Sequence, residues 1–226
     1  MSRVLAPLMF GLIGVAILIS LGVWQMQRLT WKQAILSDID NRILAAPVAL
    51  PRSIDPASDK YLPVTVTGIL TGDNLRVLAS RKHIGAGYRI ISTLETDDRR
   101  RVMVDRGFVP VQSDWRDAES SKVEVTGNLH WPDELNSSTP EPDIVDNIWF
   151  ARDVPTMSAA LKTEPVLIIA RNMTVTDPDL TPLPVDSAGI PNDHLQYAIT
   201  WFSLALVWLV MTAYYLFSRR VTAKET

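Results

Sequence analysis

Apolar residues collect in two uninterrupted runs, Val4–Val23 and Ala198–Phe217, each twenty residues long and free of charge. At about 1.5 Å per helical residue, each reaches roughly 30 Å, the thickness of a bilayer core. A buried soluble helix can be this apolar, but seldom twice in one chain and at both ends. The runs predict transmembrane helices over 4–24 and 194–217. Trp24, Gln25, Arg28 and Trp31 follow the first run at once, and no small-x-small cleavage signal precedes them. The run therefore reads as a retained anchor rather than a secretory signal. No amphipathic Arg/Ser-rich leader precedes it, which favours a bacterial protein over a mitochondrial precursor. Trp24, Arg28, Trp31, Ile35, Ile39 and Arg42 recur at steps of three or four, and no Gly or Pro intervenes before Pro47. That spacing carries the first helix on to about residue 45.

Between the runs the period changes. Lys60–Gly68, Leu75–Leu78, Tyr88–Leu94, Arg101–Val109, Lys122–Gly127 and Pro165–Ala170 are rich in β-branched residues and bounded by turn residues, so each predicts a strand. Asp97-Asp98-Arg99 predicts a hairpin turn, and Gly85 and Gly87 mark a break. Pro155–Leu161 predicts a short helix with Asp153 near its start. Pro47–Asp59, Trp131–Asp146 and Thr176–Pro191 are proline-rich and read as loops. The expected fold is α+β: two transmembrane helices flanking a β-rich antiparallel domain over 47–191, barrel-like or a sandwich.

Charge sets the expected orientation. The tail over 218–226 carries Arg219, Arg220 and Lys224, whereas Asp193 stands at the other end of the second run. The positive-inside rule places that tail in the cytoplasm and, with two spans, the N-terminus there too. The region from Gln25 to Leu195 then lies in the periplasm. It holds 18 Lys/Arg against 24 Asp/Glu, a net charge of −6, which gives no footprint for nucleic acid. The chain has no cysteine, which excludes thiol redox chemistry and thiolate metal sites.

There is no nucleophile elbow, zincin histidine pair or phosphate loop. Of the three histidines, His83 follows Arg81-Lys82 in a turn and reads as solvated, and His130 ends a strand and reads as structural. His194 opens the second apolar run, after Asp193 and two residues before Gln196, a helix-start pattern. A helix N-terminus disfavours imidazolium, and neutral imidazole is the form that binds iron. Tyr197 and Trp201 follow at i+3 and i+7, and Trp24 and Trp31 stand near the outer headgroups of the first helix. Arg28 and Lys32 could pair with the propionates of a flat macrocycle at that level. The plain alternative is an interfacial histidine that only packs or hydrogen-bonds, beside an aromatic and basic membrane belt.

Five segments share a further property. Leu21–Lys32, Tyr61–Gly68, Val104–Pro110, Asn147–Asp153 and Pro191–Ala198 resemble, in order, the signatures of the surfeit locus protein one (Surf, yeast Shy) family. The family usually has Asn where Asp105 stands, Trp where Phe108 stands and Asn where Asp193 stands. The resemblance implies a role in cytochrome c oxidase biogenesis, with two spans, an outer-face domain and help in delivering heme a to the oxidase core subunit. It also implies that His194 is the heme iron ligand.

The resulting expectation is a bacterial inner-membrane assembly factor for an aa3-type oxidase, without enzymatic activity. Heme a is its cofactor, held transiently. Its partners are the oxidase core subunit, heme a synthase and membrane lipid. The expected binding residues are His194, Trp24, Arg28, Trp31, Lys32, Tyr197 and Trp201. The competing expectation is a tethered scaffold that joins the oxidase and heme a synthase without binding heme. Receptor or sensor roles fit poorly with tails this short, and a transporter fits poorly with spans free of charge.

Overall fold

A computed structural model describes residues 2–113, 115, 120–175 and 177–222. Lys224 lies outside the described residues, as do the side chains of Arg3, Arg219 and Arg220. The chain divides into two compact units, one formed by 1–38 with 187–226 and the other by 39–186.

The first unit is built from two helices, α1 (Ser2–Ile43, whose last residues belong to the second unit) and α4 (His194–Thr222). Both contain stretches long and apolar enough to cross a membrane, with mean hydropathy of 2.3 and 1.7. Apolar side chains point outward around them: Phe10 is 67 % exposed and Leu206 61 %. Helices apolar on all sides suit a lipid environment rather than water.

The helices run antiparallel, because rising positions of α1 meet falling positions of α4. A side chain at Gly11 would strike Thr212, one at Gly14 would strike Trp208, and one at Gly22 would strike Phe202, each within 2.6 Å. The missing side chains permit this close approach, the usual device where no hydrophobic force drives apolar helices together. The seam follows a three–four spacing. Gly11, Gly22, Gln25 and Leu29 are its buried positions on α1, and Ala198 and Ala205 on α4.

The second unit is a sheet that closes on itself. Its strands are β2 (Pro63–Arg81), β3 (Gly85–Thr96), β4 (Arg101–Pro110), β5 (Ser121–Leu129) and β7 (Leu167–Met173). β2 pairs with β3, β3 with β4, β4 with β7, β7 with β5, and β5 with β2. Five strands in a ring cannot all alternate in direction, so one pair must be parallel. Here it is β4 with β7. Two short strands, β1 (Val48–Ala49) and β6 (Ile148–Trp149), add parallel pairings to β2, and Pro56–Asp59 forms a one-turn helix, α2.

Two of the predicted strands are one. Lys60–Gly68 and Leu75–Leu78 both lie in or against the nineteen-residue β2, which is continuous apart from a bulge between Leu70 and Asn74. The bulge accommodates the turn-like Thr71-Gly72-Asp73, with open space around Gly72. The Asp97-Asp98-Arg99 hairpin is present, with Arg99 at φ 64°. The short helix α3 (Val154–Leu161) starts from Asp153, whose carboxylate accepts the Thr156 N–H at 3.3 Å.

Burial on both faces explains why β4 and β7 read as continuous apolar runs rather than alternating ones. Val102 and Val104 point into the ring with Val64, Leu94, Val125 and Ile168. Met103, between them, points the other way and joins Leu167, Ile169, Trp149 and Met157 under β6 and α3.

Charges are buried in this unit too. Asp105, 1 % exposed, accepts Arg89 Nε at 2.6 Å and the Gly107 N–H at 3.1 Å, with Arg152 Nη1 at 3.4 Å. Arg152 also pairs with Glu134. Burial opposes the Glu134 charge, but the Arg152 guanidinium overcomes it and holds that carboxyl below its usual range. A bulge with Gly107 at φ +123° leaves Arg106 as the extra residue beside Asp105. Residues from two separate family-like segments therefore meet, since Asp105 binds Arg152, and Tyr61 of a third stacks on His130 at 5.3 Å. Such a matched network is costly to break from one side, because the remaining charge is left buried and unpaired.

The end of α1 is fixed within this unit. The Ile43 carbonyl accepts Asn128 Nδ2 at 3.0 Å and Arg171 Nη1 at 3.3 Å. A free helix-end carbonyl is thereby satisfied, and a cation sits at the negative end of the helix dipole.

His130 supplies a pH-dependent prediction. Burial, then the nearby Arg152 and Lys60 charges, lower its pKa from 6.5 to about 4. The folded value lies below the unfolded one, so the unfolded chain binds this proton first. Its contribution to stability is complete above pH 6.5 and is lost as the pH falls toward about 4. Thermal unfolding of the full-length protein at stepped pH should show a shallower acid limb for His130→Phe than for the wild type. Parallel limbs would count against this burial.

Candidate functional site

The only histidine on the helix pair is also its most specific polar contact. His194 is the first residue of α4, and the Asp193 carbonyl accepts the Tyr197 N–H at 3.1 Å, as the residue before a helix should. The His194 ring is half-buried, and its Nδ1 lies 2.8 Å from Oε1 of Gln25 on α1. Gln25 is only 8 % exposed. A buried amide on an apolar seam requires a partner, and His194 provides it. This contact is the polar end of the seam that begins at Gly11 and Thr212.

A second cluster lies on α1. The Arg28 guanidinium stands 5.7 Å from the Trp24 ring centre and 5.3 Å from that of Trp31. The spacing of i, i+4 and i+7 places the three on one helix face and makes a cation–π stack. Both indoles are about half exposed, and no ion pair holds Arg28 among the described residues. Lys32, one turn beyond Arg28, is half-buried.

The expected residues are therefore brought together in part. Trp24, Arg28 and Trp31 form one group, and Trp24 is joined by a single peptide bond to the glutamine that holds His194. No hydrogen bond, ion pair or ring contact among the described residues links His194 itself to that stack. On α4 the aromatic flank divides. Trp201 is half-buried on the seam with Ala198, whereas Tyr197 is 56 % exposed. At 3.6 residues per turn, i+3 is turned about 60° from the His194 direction and i+7 only about 20°, so Trp201 stays nearer the seam marked by Ala198 and Ala205 than Tyr197 does.

Gln25 was not singled out in the sequence, because a polar residue after an apolar run looks like any interfacial residue. The signal is its place in the spacing Gly11, Leu18, Gly22, Gln25, Leu29, where it alone is polar. The buried Asp105 network was also missed. Its signal is a charge in the apolar stretch Val102-Met103-Val104-Asp105.

Comparison with known proteins decides what this arrangement belongs to. The SURF1 family model matches residues 12–206. The chain belongs to the SURF1 family. A SURF1-like protein of Rickettsia felis is 30 % identical over 214 residues, covering 90 % of this chain and 94 % of the relative. A SURF1-like protein of Drosophila melanogaster is 30 % identical over 213 residues, covering 82 % and 69 %. Human Surfeit locus protein 1 is 28 % identical over 210 residues, with the same coverage of 82 % and 69 %. The match to the SURF1 model runs from the first helix through the closed sheet into the second helix, and so includes both Gln25 and His194.

The seam of this SURF1 family member can be tested with cysteines, because the chain has none of its own. A side chain at position 11 would lie 3.0 Å from the Thr212 Cβ. That is shorter than the roughly 3.5–4.5 Å of a disulfide, so a small outward shift of the helices brings the pair within bonding range. The Gly11→Cys/Thr212→Cys protein should form an intramolecular disulfide on mild oxidation in membranes. A pair on the outer faces, Ile13→Cys/Val210→Cys, should not. Equal cross-linking of both pairs, or of neither, would contradict the seam.

Proposed function

We propose that this protein is an assembly factor for an aa3-type cytochrome c oxidase that binds heme a and positions it for the core subunit. The observation that carries this reading is His194. It stands at the end of an apolar helix pair with one ring nitrogen engaged by Gln25 and the other outside any hydrogen bond among the described residues. An imidazole nitrogen is a common axial donor to heme iron, so the donor type fits. The surroundings fit as well: exposed indoles for an apolar macrocycle and, among the described residues, a cation without an ion pair, Arg28, for its carboxylates.

In this reading His194 holds the iron, and Trp24, Trp31, Tyr197 and Trp201 wall the macrocycle. Arg28 and Lys32 pair with the propionates by charge-assisted hydrogen bonds. Heme a, when bound, supplies only the iron to be ligated and the redox centre to be delivered. The chain's own task is to bind and orient it, so the protein works as a carrier rather than an enzyme. It resides in the bacterial inner membrane with both termini cytoplasmic and the closed sheet in the periplasm, where oxidase core subunit and heme a synthase are its partners. Support comes from the flanking cations and the family resemblance.

Titration of the purified full-length protein with heme a tests this. The wild type should show a shifted Soret band on binding, and His194→Ala should lose it while keeping its helical content. An unchanged spectrum at full occupancy in the variant would remove His194 as the ligand, and no spectral shift with the wild type would favour the scaffold without heme.

A further inference from the structure

An amide oxygen can only accept a hydrogen bond. Its 2.8 Å approach to His194 Nδ1 therefore requires the ring proton to sit on Nδ1 and leaves the lone pair on Nε2. Gln25 is buried, where such a bond is strong and an unmade one is costly. We infer that Gln25 is a positioning residue: it fixes His194 as the Nδ1–H tautomer and presents Nε2 as the nitrogen available to iron. The inference rests on the reading of His194 as the iron ligand.

The chemistry of the partner carries a further consequence. Metal-binding histidines are commonly oriented by a carboxylate or a carbonyl at the other ring nitrogen, and the acceptor tunes ligand basicity. A carboxylate would draw the proton strongly and give the ring anionic character, which favours tight binding to ferric iron. The neutral Gln25 oxygen orients the ring with much less of that effect. Gln25 thus combines a fixed geometry with a ligand weak enough to release its iron, which suits delivery rather than storage.

Nitrogen NMR of the ligand-free, histidine-labelled full-length protein reads the tautomer directly. The chain has three histidines, and subtraction of the His194→Ala spectrum assigns the third. The wild type should show His194 as the neutral Nδ1–H form, and Gln25→Leu should shift it toward the Nε2–H form. In the heme a titration Gln25→Leu should weaken binding by about 10–100-fold, the usual effect of losing such a partner. Gln25→Glu, which keeps an acceptor and guards against a folding failure in the leucine variant, should retain binding and lower the midpoint potential of the heme. An Nε2–H tautomer in the wild type, or a Gln25→Glu potential equal to the wild-type value, would overturn the role of Gln25. Loss of heme in His194→Ala with unchanged affinity in Gln25→Leu would leave the ligand in place and remove the positioning role. Unchanged binding in His194→Ala would remove both.

Discussion

At Gly11, Gly14 and Gly22 hydrogen atoms occupy positions where side chains would collide with Thr212, Trp208 and Phe202. This close approach of α1 and α4 is the constraint on which the candidate site depends. Helices that are apolar all round have no hydrophobic reason to pair in lipid, so packing and polar contacts must set their register. Three glycines permit the packing, and the Gln25–His194 bond adds the polar contact at one end. His194 is consequently held against the partner helix by its Nδ1 edge rather than left free at a membrane surface. The Trp24–Arg28–Trp31 stack takes its place from the same helix, at the turns next to Gln25.

The second unit obeys a different constraint. A five-membered ring of strands requires one parallel pair, and β4 with β7 supplies it. The middles of those two strands are buried on both faces. Asp105 is the buried acid among them, and its charge is met by Arg89 and Arg152. The carboxylate is thus paired with guanidinium groups rather than left isolated. The family-like segments around Tyr61, Asp105 and Arg152 are explained by this architecture without assigning them any chemistry. That leaves the segments beginning near Leu21 and Pro191, which supply Gln25 and His194, as those on which the proposed function rests.

Much of this was legible before the fold was known. Two charge-free runs of bilayer length gave both long helices, and alternation with turn residues gave most of the strands. Lys60–Gly68 and Leu75–Leu78 read as separate strands, yet pairing along β2 carries one strand through both, with a bulge between Leu70 and Asn74. His194 could be singled out by place and scarcity. Its partner could not, because Gln25 and His194 are 169 residues apart and only the antiparallel register brings them together. Helical spacing also suggested that Tyr197 and Trp201 share one face with His194, whereas packing against α1 admits only Trp201. Long-range register, for helices as for charged pairs, is what local pattern does not contain.

The account joins a SURF1 family fold to one proposed task, the supply of heme a to an oxidase, carried by a histidine whose orientation is fixed across the helix seam. The most direct test is the reduced-minus-oxidised spectrum of membranes from cells lacking this protein, with the wild type or His194→Ala restored. The account predicts a strongly reduced oxidase heme a band in the deletion, recovery with the wild type, and little recovery with the variant. A normal band in the deletion, or full recovery with His194→Ala, would contradict it.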